Sequence, residues 1–411
     1  MKRRNFINTI AAPIAASAFL PGYRELIYES RKLVKITDMK VMQVKGNIFT
    51  YPMVKIETDA GITGIGESYW GGGVADIMRT HLKKSIIGEN PLDIERLYNK
   101  MVKDTSGAGS IGGATITAIS GVEIALWDLA GKILQVPVYQ LLGGKYRDSV
   151  KAYWTISPGK GKDAIREFAD MVKSHPYGLK ALKVEYFRDN NPANGALSPT
   201  LTMKELAANE EGFGALREAL GIDYDFSVHC HWEFDWKDSL ALARAVAHSK
   251  PWWLEDPMPP DFSDTWVRLT EESPVPILTG ENLYTRQGFL PFITKQGCHI
   301  IQPDIPKAGG LLECKKIGDL ASLYNIPMCG HGVSTPLGLI ASAHCAATVR
   351  DFIAHEARID WESTGWAKFI TYDRPIFKDG RIQLSDKPGY GVELNEDYVR
   401  ANLAPGEVWW G

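Results

Sequence analysis

Short strand-type runs that end in an ionisable residue recur at nearly constant intervals in the second half of this 411-residue chain. They reach His229, Glu255, Glu281, Asp304, His331 and Glu356, and successive runs lie 23 to 27 residues apart. This interval fits one strand, one helix and two short loops, and parallel strands need such helical crossovers. Two earlier runs, at 150–155 and 180–185, bring the number of strands to eight, which predicts a closed α/β barrel with titratable residues at one mouth.

The composition is that of an ordinary globular protein. The chain is 45% hydrophobic and 23% charged, its formal net charge is −3, and it has no long basic block. Nucleic acid is therefore not an expected partner. The five cysteines show no CxxC spacing, so we expect buried thiols rather than a disulfide framework.

The first 30 residues resemble an export signal. Lys2-Arg3-Arg4 precedes an apolar run from Ile7 to Leu20, and Ala16-Ser17-Ala18 offers a small-residue cleavage site. The pattern Arg3-Arg4-Asn5-Phe6-Ile7 is similar to the twin-arginine signal, which predicts export of the folded protein to the periplasm. The alternative is a disordered or anchoring N-terminus. The run is short for a bilayer span, so we expect no stable membrane span.

Residues 31–148 have a different sequence pattern from the barrel region at 149–375. Strand-type runs at 36–44, 53–58 and 63–67, the last two joined by Asp59-Ala60-Gly61, are followed by an apolar helical stretch from Thr115 to Leu134. This pattern predicts an α+β capping domain. The C-terminal segment 376–411 contains short strand-type runs at 381–384 and 390–394, which we expect to return to that domain.

Glu255 and Glu281 end successive strands and should lie side by side. Two neighbouring carboxylates repel each other unless a cation joins them, and their oxygen atoms suit Mg²⁺ or Mn²⁺. The alternative is that each carboxylate pairs with a lysine or caps a helix. Just upstream, His229 and His231 flank Cys230, and period-two alternation places both imidazoles on the barrel interior.

Asp304 and His331 also end adjacent strands. A carboxylate that is hydrogen-bonded to an imidazole orients the ring, fixes its tautomer and raises its basicity. The pair therefore predicts a general base, with a simple buried ion pair as the alternative.

These strings together resemble the enolase superfamily, mandelate racemase subgroup, over essentially the whole chain after the signal. The similarity lies in Gly121-Val122-Glu123-Ile124-Ala125-Leu126-Trp127-Asp128, Leu254-Glu255-Asp256-Pro257, Gly280-Glu281-Asn282, Gln302-Pro303-Asp304 and Gly330-His331-Gly332, in this order. The resemblance implies a modified (β/α) barrel of the enolase type with an N-terminal α+β capping domain completed by the C-terminal tail.

The resemblance also implies a metal site. Glu255 and Glu281 match the second and third ligands of the family, and His229 stands where the family usually has an Asp. We expect Mg²⁺, with Mn²⁺ or another transition metal as the alternative, because an imidazole makes the site less negative and softer. Another interpretation is that His229 is a packed interior residue and that metal binding is weak or lost.

Other site residues follow from the same resemblance. Lys183 keeps the first place of the family's Lys-x-Lys motif, either as a base or as a contact to the substrate carboxylate, whereas Glu185 takes the second place. Glu356 matches the carboxyl group that hydrogen-bonds the substrate, with a surface Glu as the alternative. Glu185 and Trp232 are further candidates for substrate contact.

In this family the shared step is removal of the proton next to a carboxylate. With His331 as the base and His231 as the acid for a leaving C3 hydroxyl, the set resembles galactonate-type dehydratases and implies a sugar acid substrate and a 2-keto-3-deoxy product. A racemase or epimerase, a cycloisomerase of an anhydro sugar acid, and a non-catalytic exported sugar-acid binding protein are the alternatives. Relatives of this kind commonly assemble, so we expect a homo-oligomer, either a dimer or an octamer.

Overall fold

The computed structural model describes residues 34–46, 49–108, 111–188, 200–357 and 365–410. The predicted export signal and linker, residues 1–30, lie outside the described residues. A three-stranded antiparallel sheet with its helices comes first, and a closed barrel of eight parallel strands follows. The predicted fold class is therefore confirmed.

The first unit is a sheet with helices packed on it. Its strands are β1 (Ile36–Lys45), β2 (Thr50–Thr58) and β3 (Thr63–Glu67), in that order in the sheet. Its helices are α1 (Val74–Ile77), α2 (Lys83–Ile86), α3 (Ile94–Thr105), α4 (Gly113–Leu134) and α5 (Val138–Leu141), with a π-helical turn at Met78–Leu82. The predicted turn between β2 and β3 holds Gly61 at φ 71°, a conformation that glycine adopts without steric cost.

Helix α4 forms the core of this unit and packs against β3. A Cβ atom at Gly64 would lie 2.4 Å from the Ala125 carbonyl oxygen, so this close approach requires glycine. Among the described residues, α4 is the one helix whose length and composition would allow it to cross a membrane. Its apolar window is 83% buried inside the protein, as in the core helix of a globular domain.

The barrel contains β4 to β11 and closes because β11 pairs in parallel with β4. Its strands are β4 (Ser149–Thr155), β5 (Ala181–Glu185), β6 (Asp225–His229), β7 (Leu254–Glu255), β8 (Ile277–Thr279), β9 (Ile300–Ile301), β10 (Met328–Gly330) and β11 (Phe352–Ala357). The helices between them are α6 (Lys162–Ser174), α7 (Met203–Leu220), α8 (Trp236–Val246), α9 (Asp264–Glu272), α10 (Thr285–Thr294), α11 (Ile305–Ala308), α12 (Gly310–Leu323) and α13 (Pro336–Thr348).

A buried apolar layer fills the barrel beneath the mouth. It consists of Tyr153, Ala181, Trp253, Leu278, Ile300, Cys329 and Ala354. Trp253 and Cys329 lie two residues before Glu255 and His331, respectively. Their side chains therefore also point into the barrel, in the layer below those site residues. All five cysteines are free and buried, as the sequence predicts.

The C-terminal segment contacts both units. It contains β13 (Phe377–Lys378), β14 (Arg381–Gln383), β15 (Val392–Leu394) and α14 (Glu396–Ala401), and β15 pairs with β12 (Ile370–Tyr372), which precedes the segment. The prediction that residues 381–384 return to the first unit was wrong, because β14 pairs with barrel strand β4 and the Arg381 guanidinium donates to Ser149 there. Beyond it, the Tyr390 amide donates to Asp128 of α4 at 3.1 Å, and Leu403 bridges to Val44 of β1.

Candidate active site

A cavity of about 630 Å³ opens at the carboxyl ends of the barrel strands. Most of the predicted site residues line it: Lys183, Glu185, His229, His231, Trp232, Glu281, His331 and Glu356. The other two, Glu255 and Asp304, are buried and contact Lys183 and His331, respectively. The structure therefore brings all of the predicted residues to one place.

Lys183 lies among three carboxylates. Its Nζ atom is 2.5 Å from Glu255, 3.3 Å from Glu356 and 3.4 Å from Glu281, and the lysine side chain is 3% exposed. Burial alone would lower the pKa of Lys183, but the three carboxylates outweigh it and raise that pKa well above its usual value. The ammonium group therefore holds its proton, and its charge compensates those of the carboxylates.

Four side chains can share one cation. Ligand atoms of His229, Glu255, Asp256 and Glu281 all lie within 4.8 Å of one another, and all four residues are buried. Asp256 was missed by sequence reasoning, because strand alternation would turn it away from Glu255. Its φ of 45° reverses that direction.

The donor atoms of this cluster fit a divalent metal. The Nε2 atom of His229 and the Oδ2 atom of Asp256 are buried and have no hydrogen-bond partner among the described residues. Burial and the neighbouring Glu281 and Glu255 raise the pKa of Asp256 to about 7. Carboxylate oxygens and an imidazole nitrogen are ligands for Mg²⁺, Mn²⁺ and related ions. The buried cluster thus suggests a divalent metal site.

Glu185 contacts His229 rather than standing free in the cavity. Its Oε1 atom is 2.9 Å from Nδ1 of His229, and the two residues are direct partners in the β5–β6 register. Burial would raise the pKa of Glu185, but the hydrogen bond with His229 outweighs it, so that pKa is lowered. Glu185 is therefore an ionised carboxylate that accepts a hydrogen bond from Nδ1–H of His229.

His331 and Asp304 form the predicted pair. Nδ1 of His331 lies 2.6 Å from Oδ2 of Asp304, and both side chains are almost fully buried. Its Nε2 atom faces the cavity at 3.4 Å from Glu281 and 3.5 Å from Glu356. Although burial opposes it, these carboxylates and Asp304 raise the pKa of His331 to about 9. Nε2 is thus the nitrogen that can exchange a proton with a bound molecule.

His231 reaches the cavity by a turn of the backbone. Strand β6 ends at His229, and His231 and Trp232 then take φ values of 57° and 61°. Such left-handed conformations are rare for residues other than glycine and collect at functional sites. The Trp232 amide holds the turn by donating to the Asp256 carbonyl at 2.6 Å. Burial and the nearby His229 lower the pKa of His231.

Glu356 is held by several donors at once. It accepts hydrogen bonds from Thr155 Oγ1 and from the Gly332 amide, the latter at 3.2 Å, in addition to its contact with Lys183. Burial would raise its pKa, but Lys183 and His331 outweigh this and lower it. Glu356 is therefore an ionised buried carboxylate and not a surface residue.

The first unit supplies the other wall of the cavity. Tyr69 and Trp70 follow β3, and Trp70 stacks on Phe49 with ring centroids 4.0 Å apart. The loop is anchored by Glu67, which accepts hydrogen bonds from the Thr335 amide at 2.7 Å and the Gly338 amide at 3.0 Å. Glu67 of the first unit thus fixes the loop that carries Tyr69 and Trp70 to the barrel.

Lys307 is a second buried lysine in the cavity wall that sequence reasoning missed. Its ammonium donates to the Asn282 side-chain oxygen and lies 4.7 Å from the centre of the Tyr69 ring. Burial lowers its pKa. The only sequence signal was its place three residues after Asp304, on the short helix α11 that follows β9.

Fold and site together define an enolase-type barrel enzyme, and comparison with known proteins gives the family. Residues 34–143 match the mandelate racemase / muconate lactonizing enzyme N-terminal domain, and residues 164–398 match the enolase C-terminal domain-like family. The chain therefore belongs to the mandelate racemase/muconate lactonizing enzyme family of the enolase superfamily, as the sequence motifs indicated.

Similar proteins cover nearly the whole chain. A D-xylonate dehydratase of Haloferax volcanii is 38% identical over 91% of this chain and 90% of its own length. A D-galactonate dehydratase of Xanthomonas oryzae pv. oryzae is 32% identical over 86% of this chain and 91% of its own. The crystal structure of a mandelate racemase/muconate lactonizing enzyme-like protein from Rubrobacter xylanophilus superposes with a TM-score of 0.84 at 31% identity, over 92% of this chain and 100% of that one.

Proposed function

We propose that this protein is a metal-dependent hydro-lyase that dehydrates a sugar acid to a 2-keto-3-deoxy acid. The proposal rests mainly on the position of the His331–Asp304 pair. Nε2 of His331 faces the cavity and lies 3.4 Å from Glu281, a member of the His229, Glu255 and Glu281 cluster. The named activities of the two dehydratase relatives support a sugar acid as substrate.

We propose that His229, Glu255 and Glu281 hold the cation, with Asp256 beside them. Three of these four residues are carboxylates, so Mg²⁺ is the first candidate, and the imidazole of His229 makes Mn²⁺ the second. When bound, the cation stabilises the negative charge that develops on the substrate carboxylate as the neighbouring proton is removed.

His331 would take the C2 proton. In its neutral form its Nδ1–H donates to Asp304, which leaves the lone pair of Nε2 towards the cavity. The C2–H bond breaks, and its electron pair enters the substrate as an enediolate. Lys183 stays protonated and binds the carboxylate end of the substrate, and Glu356 orients the Lys183 ammonium group through their ion pair.

His231 would assist the second bond cleavage. It lines the cavity beside His229, with the two ring centres 4.9 Å apart. As imidazolium, His231 gives its proton to the C3 hydroxyl, the C3–O bond breaks, and water leaves. The resulting enol becomes the 2-keto-3-deoxy acid. No redox step is needed, so the substrate loses one water and nothing else.

The decisive test is proton exchange at C2. We expect His331→Asn to abolish both dehydration and C2 exchange in deuterated water, and His231→Asn to lose dehydration while keeping exchange. The assay supplies hexonates, pentonates, aldarates and anhydro-aldonates with Mg²⁺ or Mn²⁺, and detects 2-keto product with semicarbazide. Persistent C2 exchange in His331→Asn would assign the base elsewhere, and a product with the substrate's mass would indicate an isomerase instead.

We further propose that the protein is exported to the periplasm and works as a homo-oligomer. The export proposal rests on the Arg3-Arg4 pattern and the apolar run that follows. Replacing both arginines by lysine should leave the full-length protein in the cytoplasm in cell fractionation. Light scattering after size exclusion measures the oligomer, and a monomer at micromolar concentration would contradict the second proposal.

A further inference from the structure

We propose that Glu185 and His229 act as one unit in which Glu185 positions His229 as a metal ligand and supplies the charge that an aspartate would otherwise bring. The inference rests on the metal site of the proposed function. It assigns Glu185 as a positioning residue for the cation, in place of the substrate contact expected from sequence.

The geometry gives each ring nitrogen of His229 a separate task. Nδ1 lies 2.9 Å from Glu185 Oε1, so this nitrogen carries the proton and donates a hydrogen bond to the carboxylate. Nε2 points the other way, 3.9 Å from Glu281 Oε2, and it is buried without a hydrogen-bond partner among the described residues. The bond to Glu185 therefore fixes the tautomer whose Nε2 lone pair faces the cluster.

The charge balance explains why the two residues belong together. At the three ligand positions, a set of Asp, Glu and Glu carries one more negative charge than His229, Glu255 and Glu281, and Asp256 adds the same charge to either set. The Glu185 carboxylate restores that charge one hydrogen bond away from the cluster. A lysine at 185, as in a Lys-x-Lys strand, would instead face His229 directly, because residues 185 and 229 are register partners.

The neighbouring charge of Arg188 does not account for the contact between Glu185 and His229. Arg188 lies 3.8 Å from Glu185 but 2.8 Å from Glu233, so its main partner is Glu233. The side chain of Glu185 is 39% exposed, whereas that of His229 is 5% exposed. Glu185 thus lies at the edge of the site and holds a buried imidazole. Histidine ligands of metals are commonly oriented by a hydrogen bond of this kind to a carboxylate.

Metal affinity of the chelator-treated protein tests the proposal independently of catalysis. Isothermal titration with Mg²⁺ and with Mn²⁺ should show affinity weakened about 10- to 100-fold in Glu185→Gln, the usual effect of losing such a partner. Glu185→Asp should recover part of that loss. The matched control is Glu233→Gln, because Glu233 bonds Arg188 and Tyr186 and does not contact His229; its affinity should stay within about 2-fold of the wild type.

A double-mutant cycle tests whether the two positions are coupled. We expect E185K to weaken binding more than Glu185→Gln and H229D to weaken it as well, since each disturbs the pair. The double variant E185K/H229D should bind at least 10-fold more tightly than the product of the two separate effects predicts. Far-ultraviolet circular dichroism of each variant checks that it is folded.

The outcomes separate this inference from the proposed function. Unchanged affinity in Glu185→Gln, or independent effects of the two positions in the cycle, would overturn the pairing even if the enzyme dehydrates sugar acids. A wild type that binds neither cation would also overturn it. Weakened binding in Glu185→Gln, with a wild type that turns over none of the acids, would keep the pairing and reject the proposed activity.

Discussion

Replacing Lys183 by methionine removes a buried positive charge from among Glu255, Glu281 and Glu356 while keeping most of the side-chain volume. With no cation bound, the three buried carboxylates then repel each other. We therefore expect the metal-free Lys183→Met protein to be strongly destabilised. A divalent cation should restore much of its stability, because the cation then balances the negative charge of the carboxylates.

The magnitude follows from the geometry. Three ion pairs at 2.5 to 3.4 Å give a large gross attraction, but most of it is offset by the loss of hydration. Removing one partner of such a buried group costs about 3–5 kcal/mol. A chain of 411 residues has an unfolding entropy of about 0.9 kcal/mol/K near its midpoint, so a 4 kcal/mol loss lowers the melting temperature by about 5 °C.

The assay is thermal unfolding followed by intrinsic tryptophan fluorescence, at pH 7.5, after chelator treatment and again with Mg²⁺ or Mn²⁺. At about 100 times its dissociation constant a cation adds about 2.7 kcal/mol to a protein that binds it only when folded. We expect the gap between wild type and Lys183→Met to narrow when the cation is added.

The matched control is Lys315→Met, which removes a surface lysine paired with Asp319 and should shift the midpoint by less than about 1 °C. A metal-free Lys183→Met protein as stable as the wild type would refute the reasoning. So would a cation that stabilises both proteins equally, because the lysine and the cation would then not compensate the same carboxylates.

Three further predictions concern other parts of the molecule. Burial lowers the pKa of His344 to about 3, so the stability it provides is present above about pH 6.5 and is lost as the pH falls from 6.5 towards 3. From pH 7.5 to 5 the free energy of unfolding should fall by about 2 kcal/mol through this group. His344→Asn keeps an acceptor for the Tyr139 amide, so its free energy of unfolding, measured in urea, should not show this loss. Trp70→Ala removes the ring stacked on Phe49 and should raise KM about 10-fold with a smaller change in kcat, measured with the best substrate of the screen. Lys307→Met should also lower kcat/KM about 10- to 100-fold, because Lys307 lines the cavity. It should not weaken cation affinity in titration, because Lys307 is outside the cation cluster and its positive charge near Glu281 repels a cation. An unchanged kcat/KM would make Lys307 a structural residue.

The barrel and its site were predictable because they depend on order and spacing along the chain. A strand, a helix and two loops have a nearly fixed length, so the interval between Glu255, Glu281 and Asp304 indicates neighbouring strand ends. The pairing of Asp304 with His331 follows from the same rule. These contacts need only the correct strand order, which right-handed β/α connections enforce.

Other features depend on backbone angles and contacts that spacing does not encode. Asp256 joins the cluster with a positive φ, and His231 enters the cavity through a left-handed turn, whereas strand alternation assumes extended backbone at both residues. The contact of Glu185 with His229 follows from the β5–β6 register. Strand β14 pairs with β4, and Arg381 donates two hydrogen bonds to Ser149, which lies 232 positions earlier in the chain, so a local sequence pattern does not predict this contact.

The tail that reaches both units also sets an order of events in biosynthesis. Asp128 and Val44 belong to the N-terminal unit, yet their partners Tyr390 and Leu403 follow the whole barrel in the chain. The N-terminal unit can therefore complete these contacts only after the barrel has been synthesised. A fragment that stops after β11 would leave Asp128 without the hydrogen bond from Tyr390.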